Sequence, residues 1–151
     1  MSYKMHDVWK VANYFLYKAD GCLTPIKVQK LCYFAQGWSL AISDEPLFME
    51  DIEAWKYGPV IRELYNRVKH YGADPIANFD VPQKDEFDDN QIQLMDRVWE
   101  IYGPLGGLQL SALTHKEGTP WDTVYNSRGE NAVIPNDLIK QYFRKRLQQS
   151  S

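Results

Sequence analysis

Apolar residues recur along most of this chain with the three- to four-residue spacing of an amphipathic helix. In residues 6–18 they form one stripe: Val8, Val11, Ala12, Phe15 and Leu16. Stripes of the same kind follow within residues 25–42, 59–71, 90–102, 108–116 and 135–147. The pattern therefore predicts about six helices.

Two dipeptides mark the starts of helical segments. Threonine is a good N-cap, and proline suits the first helical position because the amide that it lacks would have no partner there. Thr24 with Pro25 predicts the start of the second helix. Thr119 with Pro120 repeats the signal and predicts a short helical turn through Tyr125.

Residues 47–57 depart from the helical pattern. Within them, residues 52–57 alternate as a short strand does. Gly58 and Pro59 follow and predict a turn into the third helix, with Pro59 at its first position. The predicted fold class is mainly α: a compact single-domain bundle of about six helices with a small β element near residues 47–57.

Length, composition and net charge limit the number of domains and the kinds of partner that we expect for this protein. The 151 residues favour a single domain, 1–151. Aromatic residues make up 14% of the chain, and we expect most of them in the core and a subset at an interface. The net charge of −3 makes nucleic acid an unfavourable partner for the isolated protein. No stretch has the apolar length of a membrane span and residues 1–7 lack the apolar segment of a signal peptide, so we expect a cytoplasmic protein without a membrane contact.

The cysteines and histidines do not suggest a metal site. Cys22 and Cys32 lack a secretory context, so we expect reduced, buried thiols rather than a disulfide. His6, His70 and His115 stand far apart, without the paired spacing of zinc ligands. We therefore predict no metal and no cofactor.

The sequence also lacks a recognisable catalytic set. Nucleophilic catalysis requires a nucleophile, a base and an orienting group. Cys32 lies in an apolar helical stretch, where a thiol keeps a high pKa. His115 has Thr114, Glu117 and Trp121 as neighbours and is a candidate base, but a histidine in the last turn of a helix more often bonds a backbone carbonyl. We predict no catalytic residue and no enzymatic activity.

Basic residues cluster near the C-terminus, where cations complement the helix dipole whether or not a ligand binds. They are a weak candidate for contacting nucleic acid: Lys140, Arg144, Lys145 and Arg146.

Three sequence blocks together resemble a known family. The first contains Lys30-Leu-Cys-Tyr-Phe-Ala35, the second is Glu53-Ala-Trp-Lys-Tyr-Gly-Pro-Val60, and the third joins Leu110-Ser-Ala-Leu-Thr-His115 to Pro120-Trp121. Their order and spacing resemble the Panacea antitoxin domain, the GepA-like phage-associated family that includes SocA-type antitoxins. The resemblance covers about residues 7–145.

This resemblance implies an antitoxin of a bacterial or prophage toxin–antitoxin system that neutralises its partner toxin by direct protein–protein binding. SocA-type members are similar to adaptors that deliver the toxin to a cytoplasmic protease, so the expected partners are the cognate toxin and such a protease. A homo-oligomer stays open. The candidate partner-binding residues are rings at motif positions: Tyr33, Trp55, Tyr57, His115 and Trp121.

Two alternative functions stay open at the level of sequence. One is an enzyme with a site assembled around His115, Glu53 and Tyr57, which a deep pocket with perturbed pKa values would favour. The other is a DNA-binding autoregulator that uses the C-terminal basic cluster, although no helix-turn-helix with a basic recognition helix stands out. An exposed aromatic patch would favour the antitoxin.

Overall fold

The computed structural model describes residues 5–149. Within that range the chain forms seven α-helices: α1 (Val8–Lys18), α2 (Pro25–Ser43), α3 (Arg62–Val68), α4 (Asp89–Tyr102), α5 (Gly107–His115), α6 (Pro120–Arg128) and α7 (Asn136–Gln149). It also forms three strands: β1 (Ile52–Trp55), β2 (Gly58–Val60) and β3 (Ala132–Ile134). The prediction of a mainly α fold is confirmed. The number of helices is larger than predicted because residues 120–128, expected to form a short turn, form the whole of α6.

The predicted start signals coincide with helix starts. Thr24 and Thr119 both have the extended backbone of an N-cap, and a proline follows each of them. The Thr119 hydroxyl accepts a hydrogen bond from the backbone N–H of Asp122 at 3.2 Å. The Thr24 side chain makes no such bond. These two signals therefore mark the N-termini of α2 and α6, which lie near the candidate site described below.

Helix α2 is the centre of the fold and packs against α1, α4, α5 and α7. Around Phe143 of α7, which is 1% exposed, α2 contributes three aromatic rings at centroid distances of 5.0–6.1 Å: Tyr33, Phe34 and Trp38. The Phe34 ring also stacks on Tyr102 of α4, with centroids 3.9 Å apart. This aromatic cluster joins three helices, as expected if most aromatic residues serve the core.

Gly37 lets α2 and α7 approach closely, because a Cβ at this position would overlap the Phe143 ring. We expect Gly37→Ala to lower the free energy of unfolding by about 1–2 kcal/mol, since overpacking a filled core displaces side chains and backbone. Urea denaturation measures the effect. Gly106→Ala is the control because a Cβ there makes only ordinary contact, at 3.6 Å from Gln109 Oε1. Equal stability of the two variants would contradict the close α2–α7 packing.

The three strands form an antiparallel sheet in the order β2-β1-β3. The prediction that Pro59 starts the third helix is wrong: residues 58–60 form β2, and α3 begins at Arg62. Pro59 pairs with Ala54 of β1 in an edge strand, a position where proline is tolerated because its missing N–H is not needed on the open side. Strand β3 pairs with β1 from the other side and was not predicted.

Candidate partner-binding site

The motif residues converge on one β-hairpin, made of β1, a turn at residues 56–57, and β2. The hairpin packs against α2 and α5 through β2 and against α6 through β1. Most of the family-like motif residues lie either in the hairpin or in the helices that support it. Three of them, Lys30, Ser111 and Trp121, hydrogen-bond to the hairpin backbone and so help to fix its position.

Lys30 of α2 contacts the backbone of the hairpin from the interior of the protein. It is 3% exposed, and its Nζ donates a hydrogen bond to the Pro59 carbonyl at 2.9 Å. Gly58, at φ +132°, comes so close that a Cβ there would lie 3.1 Å from Nζ. Burial lowers the pKa of Lys30 to about 8. Among the described residues, no acidic side chain forms an ion pair with this ammonium group.

Gln29 fixes the point where the hairpin ends. Its side-chain amide donates to the Ile61 carbonyl and accepts from the Ile61 N–H, both at 3.0 Å. Both residues are buried, at 5% and 0% exposure, so these two backbone groups have no access to water. The amide of Gln29 thus replaces the sheet partner that the chain lacks between β2 and α3.

Two side chains from α5 and α6 hold the backbone of the hairpin turn. The Ser111 hydroxyl donates to the Tyr57 carbonyl at 3.2 Å, and Trp121 Nε1 donates to the Trp55 carbonyl at 2.6 Å. The His115 ring packs edge-on against Trp121, with centroids 5.6 Å apart. His115 Nδ1 lies 2.5 Å from the Ser111 carbonyl, the backbone contact expected for a histidine in the last turn of a helix.

The outer face of the hairpin carries a polar brace. Glu53 accepts hydrogen bonds from Arg62 Nη2 at 2.8 Å and from Trp55 Nε1 at 3.0 Å. The bond from Arg62 holds the pKa of the Glu53 carboxyl below its usual range. The Arg62 guanidinium lies over the Trp55 ring, and Tyr65 packs against the same ring at 4.8 Å. The indole of Trp55 is therefore held in one orientation.

These contacts leave the alternative enzymatic site without an assembled set. Glu53 is engaged by Arg62 and Trp55, while His115 faces the Ser111 carbonyl. Tyr57 contributes only its backbone carbonyl to the hydrogen bonds around it. Within the described part of the chain, no hydrogen bond or ion pair joins any two of Glu53, Tyr57 and His115.

The five candidate partner-binding rings differ in exposure. Tyr33 is 2% exposed and packs in the aromatic cluster around Phe143, so its burial removes it from any surface that a partner can contact. Trp121 is also buried, and Trp55 and His115 are half-buried. Tyr57 is 73% exposed, at the tip of the hairpin. The structure gathers four of the five rings at the hairpin and places Tyr33 elsewhere.

A cleft of about 440 Å³ opens beside the hairpin, between it, the start of α2, and α3. Its walls are largely apolar: Pro25, Ile26, Trp55, Tyr57, Val60, Tyr65 and Val68. Three lysines, one glutamate and three small or neutral residues complete the lining: Lys30, Lys56, Lys69, Glu130, Gln29, Ser111 and Gly72. The sequence-based prediction missed this cleft. Its signal was Lys30, a charged residue within a helix that is apolar on much of its circumference.

The C-terminal basic cluster is partly used within the fold. Lys140 and Arg144 both bind Asp44, just after α2, and Arg144 Nε also donates to the Ala41 carbonyl at 3.0 Å. The guanidinium of Arg146 lies 5.7 Å from the centre of the Tyr142 ring. The contacts of Lys140 and Arg144 tie α7 to the end of α2, and Asp44 offsets part of their positive charge.

The two cysteines are free thiols in different environments. Cys32 is fully buried, and burial raises the pKa of its thiol. Cys22 is exposed, contrary to the prediction that both are buried, because it lies in the loop after α1 and not in a helix. Among residues 5–149, no group of His, Cys, Asp or Glu side chains is arranged to hold a metal ion. Over the same residues, no helix is long and apolar enough to cross a membrane.

Comparison with known proteins identifies the family. Residues 28–122 match the family model described as antitoxin SocA-like, Panacea domain. The chain is 33% identical to Antitoxin SocA of Caulobacter vibrioides (strain NA1000 / CB15N) over 156 aligned residues, which cover 91% of this chain and 82% of that protein. No solved structure matches the chain significantly. The matched region contains the hairpin, Lys30, Ser111, His115 and Trp121, and the chain belongs to the SocA-like Panacea antitoxin family.

Proposed function

We propose that this protein is the antitoxin of a bacterial or prophage toxin–antitoxin system and that it neutralises its toxin in the cytoplasm by direct binding through the hairpin. The observation that carries the proposal is Tyr57, a large ring that is 73% exposed on a braced turn. Tyrosine and tryptophan are enriched among the residues that dominate binding energy. Family membership supports the antitoxin role, and Tyr57 is the residue through which we propose that the protein contacts its toxin.

The rigidity of the hairpin favours binding. Ser111 and Trp121 fix the turn backbone, and Arg62 and Tyr65 fix the neighbouring Trp55 ring. A fixed backbone removes the cost of ordering the loop on binding, and a tyrosine ring has only two side-chain torsions to immobilise. Tyr57 can therefore contribute most of its contact energy to affinity.

We expect Tyr57→Ala to weaken toxin binding about thirtyfold, because loss of a central interface ring costs roughly 2 kcal/mol. The free energy of unfolding should change little, since the removed ring is largely exposed. Tyr17→Ala is the matched control: Tyr17 is 46% exposed on α1 and does not line the cleft. Calorimetric titration with the cognate toxin measures the affinities.

Co-expression with that toxin tests the same proposal in cells. Wild-type protein and Tyr17→Ala should rescue growth and co-purify with the toxin, whereas Tyr57→Ala should do so poorly. Toxin abundance, compared in strains with and without the cytoplasmic proteases, separates simple blocking from delivery to a protease. Growth rescue without any complex would contradict direct binding. A complex that Tyr57→Ala leaves intact would place the interface elsewhere.

A further inference from the structure

We propose that the cleft beside the hairpin binds an apolar segment of the toxin that carries an aspartate or glutamate side chain, and that this carboxylate pairs with Lys30. The inference rests on the proposed function and specifies the chemistry that the antitoxin recognises. It is carried by the position of Lys30, by the apolar walls around it and by the charges at the edge of the cleft.

Lys30 is a buried cation for which the fold supplies no counter-charge. An ammonium group has three N–H donors, and the structure pairs one of them, with the Pro59 carbonyl at 2.9 Å. A buried charge is expensive unless it is paired and fully hydrogen-bonded. Because Lys30 also lines the cleft, a carboxylate bound there would supply both the missing charge and the missing acceptors.

The walls of the cleft fit apolar side chains on either side of that carboxylate. Ile26 and Val68 are aliphatic, and Trp55, Tyr57 and Tyr65 present aromatic rings. The volume of about 440 Å³ lies in the range of clefts that bind ligands, and it is large enough for a few side chains. Excluding water around the ion pair strengthens the attraction between its charges.

The charged and titratable groups around Lys30 favour an acidic ligand. Lys56 of the turn and Lys69 after α3 also line the cleft, and Glu130 is its one acidic lining residue among those described. Tyr57, Tyr65 and, from α5, His115 are further titratable groups near Lys30, while Glu53 and Arg62 pair with each other on the outer face of the hairpin. This local excess of positive charge contrasts with the net charge of −3 of the chain. Complementary charges at an interface favour the correct partner and speed its association.

The cleft is lined by side chains of α2, α3 and the hairpin. Its cation is a side chain within an apolar wall, which fits a carboxylate projecting from the middle of a segment. We therefore assign the carboxylate to an aspartate or glutamate side chain of the toxin and not to its C-terminus.

Two pools of short peptides test the inference without the toxin. The peptides are acetylated and amidated, with random apolar residues around a central glutamate in one pool and a central glutamine in the other. We expect the glutamate pool to bind about a hundredfold more tightly, since leaving one member of a buried charge pair unpaired costs several kcal/mol. Fluorescence anisotropy measures both affinities on the wild-type protein, so this comparison does not depend on how any variant folds. Equal binding of the two pools would overturn the inference.

Lys30→Met identifies the cation. It should abolish the preference for glutamate, while Lys84→Met, at an exposed lysine outside the cleft, should preserve it. An unchanged preference in Lys30→Met would overturn the inference.

The full-length toxin separates the two proposals. A toxin complex that Lys30→Met leaves intact overturns the cleft assignment alone. A wild-type protein that forms no toxin complex overturns the proposed function. A third pool with a free C-terminal carboxylate and no acidic side chain should bind no better than the glutamine pool, and tight binding of that pool would overturn the assignment to a side chain.

Discussion

Lys30→Met should be more stable than the wild-type protein at pH 7, with a free energy of unfolding higher by about 1–2 kcal/mol. Burial lowers the pKa of Lys30 from 10.5 to about 8, so keeping it charged in the folded state costs roughly 3 kcal/mol. The variant also loses the charge-assisted hydrogen bond to the buried Pro59 carbonyl, which costs about 1–2 kcal/mol. Methionine keeps an unbranched apolar stem in the same space.

The pH dependence of this difference has a definite sign. Between about pH 8 and 10.5 the unfolded chain keeps the Lys30 proton and the folded chain has lost it, so the stability of the wild-type protein rises with pH in this window. The advantage of Lys30→Met should therefore be largest below pH 8 and shrink towards pH 10.5. Urea denaturation across this range measures it, with Lys84→Met as the control. A Lys30→Met variant less stable than the wild type at pH 7 would show that the ammonium group is a structural requirement.

Gln29→Ala should lower the free energy of unfolding by about 3 kcal/mol, because it leaves two buried backbone groups of Ile61 without partners. Both hydrogen bonds from Gln29 are 3.0 Å long, and Ile61 is fully buried. Gln93→Ala, at an exposed position of α4, should change stability by less than about 0.5 kcal/mol. Thermal or urea denaturation of the pair checks the difference.

The same substitution should loosen the hairpin. Gln29 holds the junction between β2 and α3, which form two sides of the cleft. Hydrogen exchange of the β1 and β2 amides should therefore accelerate in Gln29→Ala and stay unchanged in Gln93→Ala. Unchanged stability and exchange in Gln29→Ala would contradict the role of this side chain as the partner of the Ile61 backbone.

Local signals in the sequence predicted the helices well and the sheet poorly. Thr24 with Pro25 and Thr119 with Pro120 mark true helix starts, because N-caps and N-terminal prolines act through neighbouring residues. Gly58 with Pro59 resembles the same signal but enters a strand, since pairing with β1 and the contact from Lys30 decide the outcome. Strand β3 is three residues long and pairs with residues far away in the chain, which local periodicity cannot indicate.

The candidate site was likewise predicted only in part from the sequence. The motif blocks pointed to the hairpin, because several of the residues that fix its position belong to them. Exposure was harder to predict: Tyr33 lies on α2, a helix buried on nearly all sides, so its position in the helical period does not separate core from surface. The cleft depends on α2, α3 and the hairpin coming together, and only the tertiary structure reveals that Lys30 lies there without a counter-charge.

Titration of the purified toxin with this protein tests the central claim most directly, with binding measured by calorimetry and residual toxin activity measured in the same samples. Neutralisation by direct binding predicts that inhibition follows the fraction of toxin bound and that the toxin released by denaturant has an unchanged mass and regains its activity. Inhibition by a small, substoichiometric amount of this protein, or a toxin that is recovered covalently altered, would contradict the account.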